Sequence, residues 1–282
     1  HGGISAQHPI RIVALGERVP PMWRVGQRVG VGRLGGHCNA CDQCRLGKFN
    51  LCRNQNSVGS SCDGGYADMM LARMTGLVSI PDELGSEEAA PILCAGIATC
   101  NALKKCGAEA GDLVAIFGIG GLGHMALQYA RRMGFKVVAI GRGQDIAEEA
   151  LALGAHVYID TNTENAAEKL NALGGAQAII ATIGAGEAVS GLVAGLVPEG
   201  RLVILGPSPQ PLAIASGQLV AGERTVMGSI TGSPIENEKT LKFSVLADVR
   251  PKIETFPLER AVEALQKLKS GAANFRLVLT MR

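Results

Sequence analysis

The sequence predicts an α/β chain: a doubly wound parallel sheet preceded by a β-rich domain. Three observations predict it. A G-x-G-x-x-G stretch stands between a short apolar run and a segment of helical period. Further short apolar runs then alternate with helical segments. The region before them is Gly-rich, turn-rich and strand-like, as in "WRVGQRVGVG" and "GGYADMMLAR".

The elements follow in order. The run "LVAIF" (113–117) is short enough for a buried strand. Behind the glycines, Met125, Ala126, Leu127, Tyr129, Ala130 and Met133 recur at helical spacing. A second strand is expected at 136–140. Four more are expected at 155–160, 176–182, 200–206 and 224–230, with helices between them such as 144–153 and 185–196. Six strands alternating with helices imply a complete dinucleotide-binding domain over residues 97–232. Residues 1–96 form the β-rich domain. Residues 233–282, with helices at 236–247 and 258–269 and a strand at 275–280, are expected to return to it.

Composition excludes several classes. Hydrophobic residues make up 47%, charged residues 18%, and the formal net charge is +2. That balance shows no bias toward polyanions, so no nucleic-acid partner is expected. No apolar run is long enough for a membrane span. The opening "HGGISAQHPI" has neither a basic n-region nor an apolar h-region, so a reducing, cytoplasmic setting is expected. Gly is abundant at 38 residues, but it clusters between apolar runs, which fits tight turns rather than low complexity.

"HCNACDQCRLGKFNLC" holds four of the eight cysteines. Cys38, Cys41, Cys44 and Cys52 read C-x2-C-x2-C-x7-C. A disulfide knot, a redox pair and a metal site compete for this pattern. In a reducing compartment structural disulfides are rare. Four thiolates on a compact loop can instead close a tetrahedron around Zn²⁺. Such a site would be structural, because four protein ligands leave no position for water or substrate.

In "GIGGLG", Gly118 permits the tight turn and Gly120 lets backbone approach a pyrophosphate. Gly121 and Leu122 complete the turn, and Gly123 lets helix and strand pack closely. "GVGRLG" (30–35) matches the same expression but runs into the cysteine loop with no helical period behind it, so it is rejected. An NAD-selective fold offers Asp or Glu at the end of the second strand. Here Gly141 and Arg142 stand there, and a guanidinium suits the 2′-phosphate of NADP(H). The alternative is a solvated Arg142, with Asp145 in the acidic role.

"VGQRVGVG", "GGHCNACDQC", "DGGYAD", "APILCAGIATCNAL", "GIGGLGHMALQYA" and "FRLVL" together resemble the zinc-containing medium-chain alcohol dehydrogenases, nearest to the NADP(H)-using cinnamyl-alcohol-dehydrogenase-like branch. The resemblance runs from about Arg11 to the C-terminus. It implies a GroES-like substrate domain, a Rossmann domain, an active cleft between them and reversible alcohol–aldehyde interconversion. It agrees with structural zinc on the four cysteines. It implies that Cys94 ligates a second, catalytic zinc and that Thr99 lies near the nicotinamide. It places Thr182, Leu205, Gly206, Ser229 and Thr231 among the cofactor contacts and gives Arg276 to a cofactor phosphate. It also implies a small alcohol or aldehyde substrate, with an enone as the alternative if catalytic zinc is absent, and a homodimer formed through the strand near 225–230.

The sequence departs from this pattern at one point. The family's catalytic zinc takes a Cys and a Gly-His-Glu histidine from the first domain. This chain has no Cys before Cys38 and no Gly-His-Glu, and its opening β-region reads as shortened. His8 is the remaining candidate ligand. Three functions therefore stay open: a zinc-dependent NADP(H) alcohol dehydrogenase, a relative without catalytic zinc that reduces activated alkenes, and a non-catalytic binding protein.

Overall fold

The computed structural model describes residues 4–5 and 10–281. The chain divides into two compact units, residues 98–230 and the flanking segments that end at Ile97 and resume at Thr231. Each is described by itself.

The flanking unit opens with β1 (Ile4–Ser5), β2 (Ile10–Arg11) and β3 (Arg28–Val31). The cysteine loop follows and carries a single helical turn, α1 (Asp42–Arg45). Then come β4 (Leu77–Ser79) and α2 (Ser86–Pro91). Strands β2, β3 and β4 make an antiparallel sheet in that order. Trp23, Val29, Val31 and Leu77 pack at its core. The rejected glycine match lies partly in β3. A Cβ on Gly30 would sit 2.5 Å from the Leu93 side chain, so that glycine serves packing.

Pro91 closes α2, and a π-helical turn, Ile92–Gly96, follows it. A proline offers no N–H to the helical ladder, and π turns arise where that ladder is interrupted. α3 (Ile97–Lys105) then leads into the other unit.

There the chain alternates strand and helix: β5 (Leu113–Phe117), α4 (Gly123–Arg132), β6 (Lys136–Gly141), α5 (Ala147–Ala152), β7 (Val157–Asp160), α6 (Ala166–Ala172), β8 (Ala176–Ala181), α7 (Gly186–Gly191), β9 (Leu196–Ile204), α8 (Ser216–Val220) and β10 (Thr225–Gly228). The six strands form one sheet in the order β10-β9-β8-β5-β6-β7, and every pair is parallel. The order runs outward from β5 to β7, then reverses to continue from β8, so the topological switch point lies between β5 and β8. All five residues of β5 are buried, as a strand covered on both faces requires. The expected doubly wound sheet is present.

Two elements differ from expectation in extent. The helix expected over 185–196 ends at Gly191, and a 3-10 turn, Leu192–Gly195, leads directly into β9. β9 accordingly starts four residues before the expected 200.

The chain returns to the flanking unit with α9 (Pro234–Leu246), β11 (Ile253–Pro257), α10 (Ala261–Lys269) and β12 (Arg276–Thr280). The carboxylate of Glu236 accepts from both the backbone N–H and the hydroxyl of Ser233 at the start of α9, with Pro234 as its first residue. β12 pairs in parallel with β1 and β11. Among the described residues, no helix is long and apolar enough to cross a membrane.

Candidate functional site

In the cysteine loop the Sγ atoms of Cys38, Cys41, Cys44 and Cys52 all lie within 4.8 Å of one another. Cys41 Sγ is 3.6 Å from Cys44 Sγ and 3.9 Å from Cys52 Sγ. A tetrahedron with Zn–S arms of about 2.3 Å has edges of about 3.8 Å. The observed separations match that edge, so the donor set fits Zn²⁺. The backbone folds to suit the sulfurs. Cys38 N donates to Cys52 Sγ and Cys41 N to Cys38 Sγ, each at 3.4 Å. Asn54 Nδ2 donates to Cys38 Sγ at 3.3 Å. That donor, with the N–H groups of Ala40 and Cys41, pulls the Cys38 thiol down to about 6. Burial pushes Cys44 up to about 12. His37 stacks on Phe49 with ring centroids 4.2 Å apart, and Thr75 Oγ1 donates to the His37 carbonyl at 2.7 Å, which ties the loop to the segment before β4.

The four cysteines are, among the described residues, the one group of three or more His, Cys, Asp or Glu whose ligand atoms converge. Cys94, in the π turn, has no such company. Its neighbour is Arg276, which is buried at 5% exposure and hydrogen-bonded to it, with Tyr66 close by. Burial pulls the Arg276 guanidinium below its usual range and pushes the Tyr66 phenol up to about 12. A catalytic zinc therefore does not fit the described residues around Cys94, where a cation stands beside the thiol. His8 lies outside the described residues. Arg276 is sited in the interior, at the start of β12. The Leu93 carbonyl, in the π turn, accepts from Asn237 Nδ2 of α9 at 3.2 Å.

In the other unit, the remaining sequence candidates gather after the carboxyl ends of the parallel strands. The turn 118–123 follows β5, Gly141 ends β6 and Arg142 follows it, Thr182 follows β8, Leu205 and Gly206 follow β9, and Ser229 follows β10. This edge, at the switch point, is where open parallel sheets bind ligands. Thr231 falls in the flanking unit, and Thr99 is fully buried in α3.

The three motif glycines have three different reasons to be glycine. Gly118 has φ +91, and a Cβ there would meet Ile183 at 2.5 Å. A Cβ on Gly123 would lie 1.9 Å from the Gly118 carbonyl oxygen, inside the closest packing of helix against turn. A Cβ on Gly120 would meet nothing within 4 Å. Neither turn nor packing requires Gly120, and its bare face is the place a pyrophosphate would fill. Thr182 Oγ1 braces the turn from β8, 3.0 Å from the Phe117 carbonyl and 2.7 Å from that of Gly118. No side chain caps the N-terminus of α4; the His124, Met125 and Ala126 N–H groups donate to the Gly120 and Leu122 carbonyls, and the positive end of the helix dipole faces the turn.

Beyond β6, Arg142 is exposed, with no ion pair or hydrogen bond to its side chain among the described residues. Three side chains at the end of β7 hold the loop that carries it. Tyr158 OH donates to the Gly143 carbonyl at 2.6 Å. Asp160 Oδ1 accepts from Gly143 N at 2.7 Å and Asn162 N at 2.9 Å. Thr161 Oγ1 donates to the Gly141 carbonyl at 2.9 Å. The Asn162 and Gly143 N–H groups hold the Asp160 carboxyl below its usual range. Sequence reasoning missed these three residues. A polar "YID" closing a strand was the available signal, and it has meaning only once β7 is known to lie beside β6.

Comparison with known proteins agrees with both units. Residues 11–82 match the alcohol dehydrogenase GroES-like domain, and residues 121–245 match the zinc-binding dehydrogenase domain. The alcohol dehydrogenase notN of Aspergillus sp. (strain MF297-2) is 40% identical over 92% of this chain and 76% of its own length. A cinnamyl alcohol dehydrogenase of Sorghum bicolor superposes with a TM-score of 0.87 at 28% identity, over 95% of this chain and 78% of that one. The cinnamyl alcohol dehydrogenase of Helicobacter pylori, solved with NADP(H), gives 0.83 at 27% identity, over 96% and 80%. The fold is thus a Rossmann-type parallel sheet joined to a GroES-like domain, the architecture of an oxidoreductase. The chain belongs to the zinc-type medium-chain alcohol dehydrogenases.

Proposed function

We propose that this alcohol dehydrogenase uses NADP(H) to interconvert small alcohols with aldehydes or ketones, and that it carries one structural zinc. The observation that carries the cofactor reading is the pairing of a bare Gly120 turn with an exposed, unengaged Arg142, both at the carboxyl edge of one sheet. The uncapped N-terminus of α4 would receive the pyrophosphate, and Gly120 would let it approach the backbone. Arg142 would hold the 2′-phosphate with two parallel N–H donors. NADP(H), when bound, supplies the hydride donor or acceptor. Thr182 keeps the turn in shape by holding the carbonyls of Phe117 and Gly118. The four cysteines would hold the structural zinc, which pins their lobe and takes no part in chemistry. A second copy of this chain is the expected protein partner, and β10 offers it a sheet edge.

The setting of Cys94 favours a second reading. With a guanidinium as neighbour in place of further ligands, metal-free reduction of an activated alkene competes with carbonyl reduction.

Titration of NADPH and NADH, followed by oxidation of NADPH with an aldehyde set against an enone, tests both readings. Arg142→Ala should weaken NADPH by about ten- to a hundredfold, the worth of a charge-assisted contact, and leave NADH nearly unchanged. Equal losses for the two cofactors would remove Arg142 from the 2′-phosphate.

A further inference from the structure

The geometry points to Tyr158 as a residue that determines cofactor choice: its ring occupies the space that a carboxylate side chain at position 141 would need, and so keeps that position glycine. This rests on the NADP(H) reading above. It adds a cause, located on the neighbouring strand, for the missing acid at the end of β6.

An NAD-selective site places Asp or Glu at the end of the second strand of the fold, where the carboxylate takes the ribose hydroxyls. In this sheet that strand is β6, and it ends at Gly141. Gly141 has no positive φ, so its backbone does not require glycine. Its neighbours do. A Cβ at 141 would lie 2.5 Å from Tyr158 OH, 3.0 Å from Cε2 and 3.1 Å from Cζ. Those separations fall inside van der Waals contact before any carboxylate is added.

The ring is not free to step aside. Its hydroxyl donates to the Gly143 carbonyl at 2.6 Å, two residues beyond the position it guards. Burial, then the charges of Asp160 and Asp145, push the phenol up to about 12, so it stays a protonated donor at physiological pH. Parallel pairing sets Tyr158 beside Ala139 and Asp160 beside Gly141, which brings the side chains at the end of β7 onto the loop after β6. Asp160 takes the Gly143 N–H, and Thr161 takes the Gly141 carbonyl. Moving the ring to admit a side chain at 141 would release Gly143 and loosen the loop that carries Arg142. Tyr158 thus excludes the acid that NADH would use and steadies the segment that NADPH would use. It is a positioning residue, acting on the cofactor through residues 141–143.

The test is a double-mutant cycle on the full chain, with NADPH and NADH affinities measured for Gly141→Asp, Tyr158→Ala and the pair. Gly141→Asp alone should lose NADPH without gaining NADH. Adding Tyr158→Ala should raise NADH affinity by about tenfold or more over Gly141→Asp. Adding Tyr158→Phe instead should give a smaller gain than Tyr158→Ala, because the hydroxyl and its anchor are lost but the ring carbons at 3.0 and 3.1 Å remain. A merely structural role for Tyr158 would not make the NADH gain depend on ring size. If Gly141→Asp binds NADH equally well with Tyr158 in place, the proposal is overturned. A wild-type chain that does not prefer NADPH would sink the cofactor reading alone, since the cycle still reports whether residue 158 controls what position 141 can hold. Should the Asp variant fail to fold, Gly141→Ala serves. Its melting temperature should fall with Tyr158 present and recover in Tyr158→Ala, and an unchanged value in both backgrounds overturns the proposal.

Discussion

The cysteine loop and the glycine turn are built in opposite ways. In the loop, four side chains converge until their sulfurs lie within 4.8 Å of one another, with two separations near the edge length of a zinc tetrahedron. In the turn, side chains are withheld: Gly123 has no room for one, Gly118 has neither the room nor the backbone angle, and Gly120 has room to spare. A site made by convergence should fail when an atom is removed. A site made by omission should fail when one is added. Cys94 shows that a cysteine alone is neither, since its neighbour is a buried arginine and not a second donor.

The largest effect should come from breaking the convergence. Cys41→Ser should abolish metal binding and unfold the lobe, because structural zinc contributes folding free energy directly. Cys94→Ser should leave the zinc count as it is. Elemental analysis of the two purified variants, with their melting temperatures, checks both, and equal loss in each would erase the distinction between loop and lone thiol.

A somewhat smaller effect should follow from filling the turn. Gly123→Ala puts a methyl against the Gly118 carbonyl, a backbone atom that cannot rotate away. Overpacking of this kind costs about 3 kcal/mol, and chemical denaturation should show it. A loss below about 0.5 kcal/mol, the range of ordinary surface changes, would mean the turn is not packed as described.

The smallest effect concerns acid. The glycine turn carries no ionisable side chain, whereas the neighbouring loop at 141–143 is held by the Asp160 carboxylate. Backbone N–H groups depress the folded carboxyl below its usual value, so its contribution is complete above about pH 4. It is lost as pH falls through the lower folded value. The difference in melting temperature between wild type and Asp160→Asn should therefore shrink below about pH 4, and a difference that grows in acid would reverse the sign assigned to Asp160.

The sequence made these two regions legible for different reasons. The parallel strands announce themselves as apolar runs because both faces are covered, as with Leu113–Phe117. The four cysteines are legible because ligand spacing is local. The long helical stretch from α2 through α3 was not foreseen. Nearly every residue over 89–103 is buried, so no polar face marks a helical period, and Pro91 and Gly96 look like breaks. β11 was missed as well, being only partly buried and closed by Pro257. Tyr158, Asp160 and Thr161 were invisible because they act on residues 141–143 across a strand pairing that no local pattern reveals. Arg276 was legible as a residue of interest, but its partner, Cys94, lies far away in sequence.

The role proposed for the empty space at Gly120 is to admit a nucleotide. Calorimetric titration of NADPH into wild type and Gly120→Ala decides it. The wild-type chain should bind NADPH, and the variant should bind it about tenfold or more weakly, with an unchanged melting temperature, because its methyl meets no protein atom. Equal affinity in the two proteins, or no binding to the wild type, would contradict the claim.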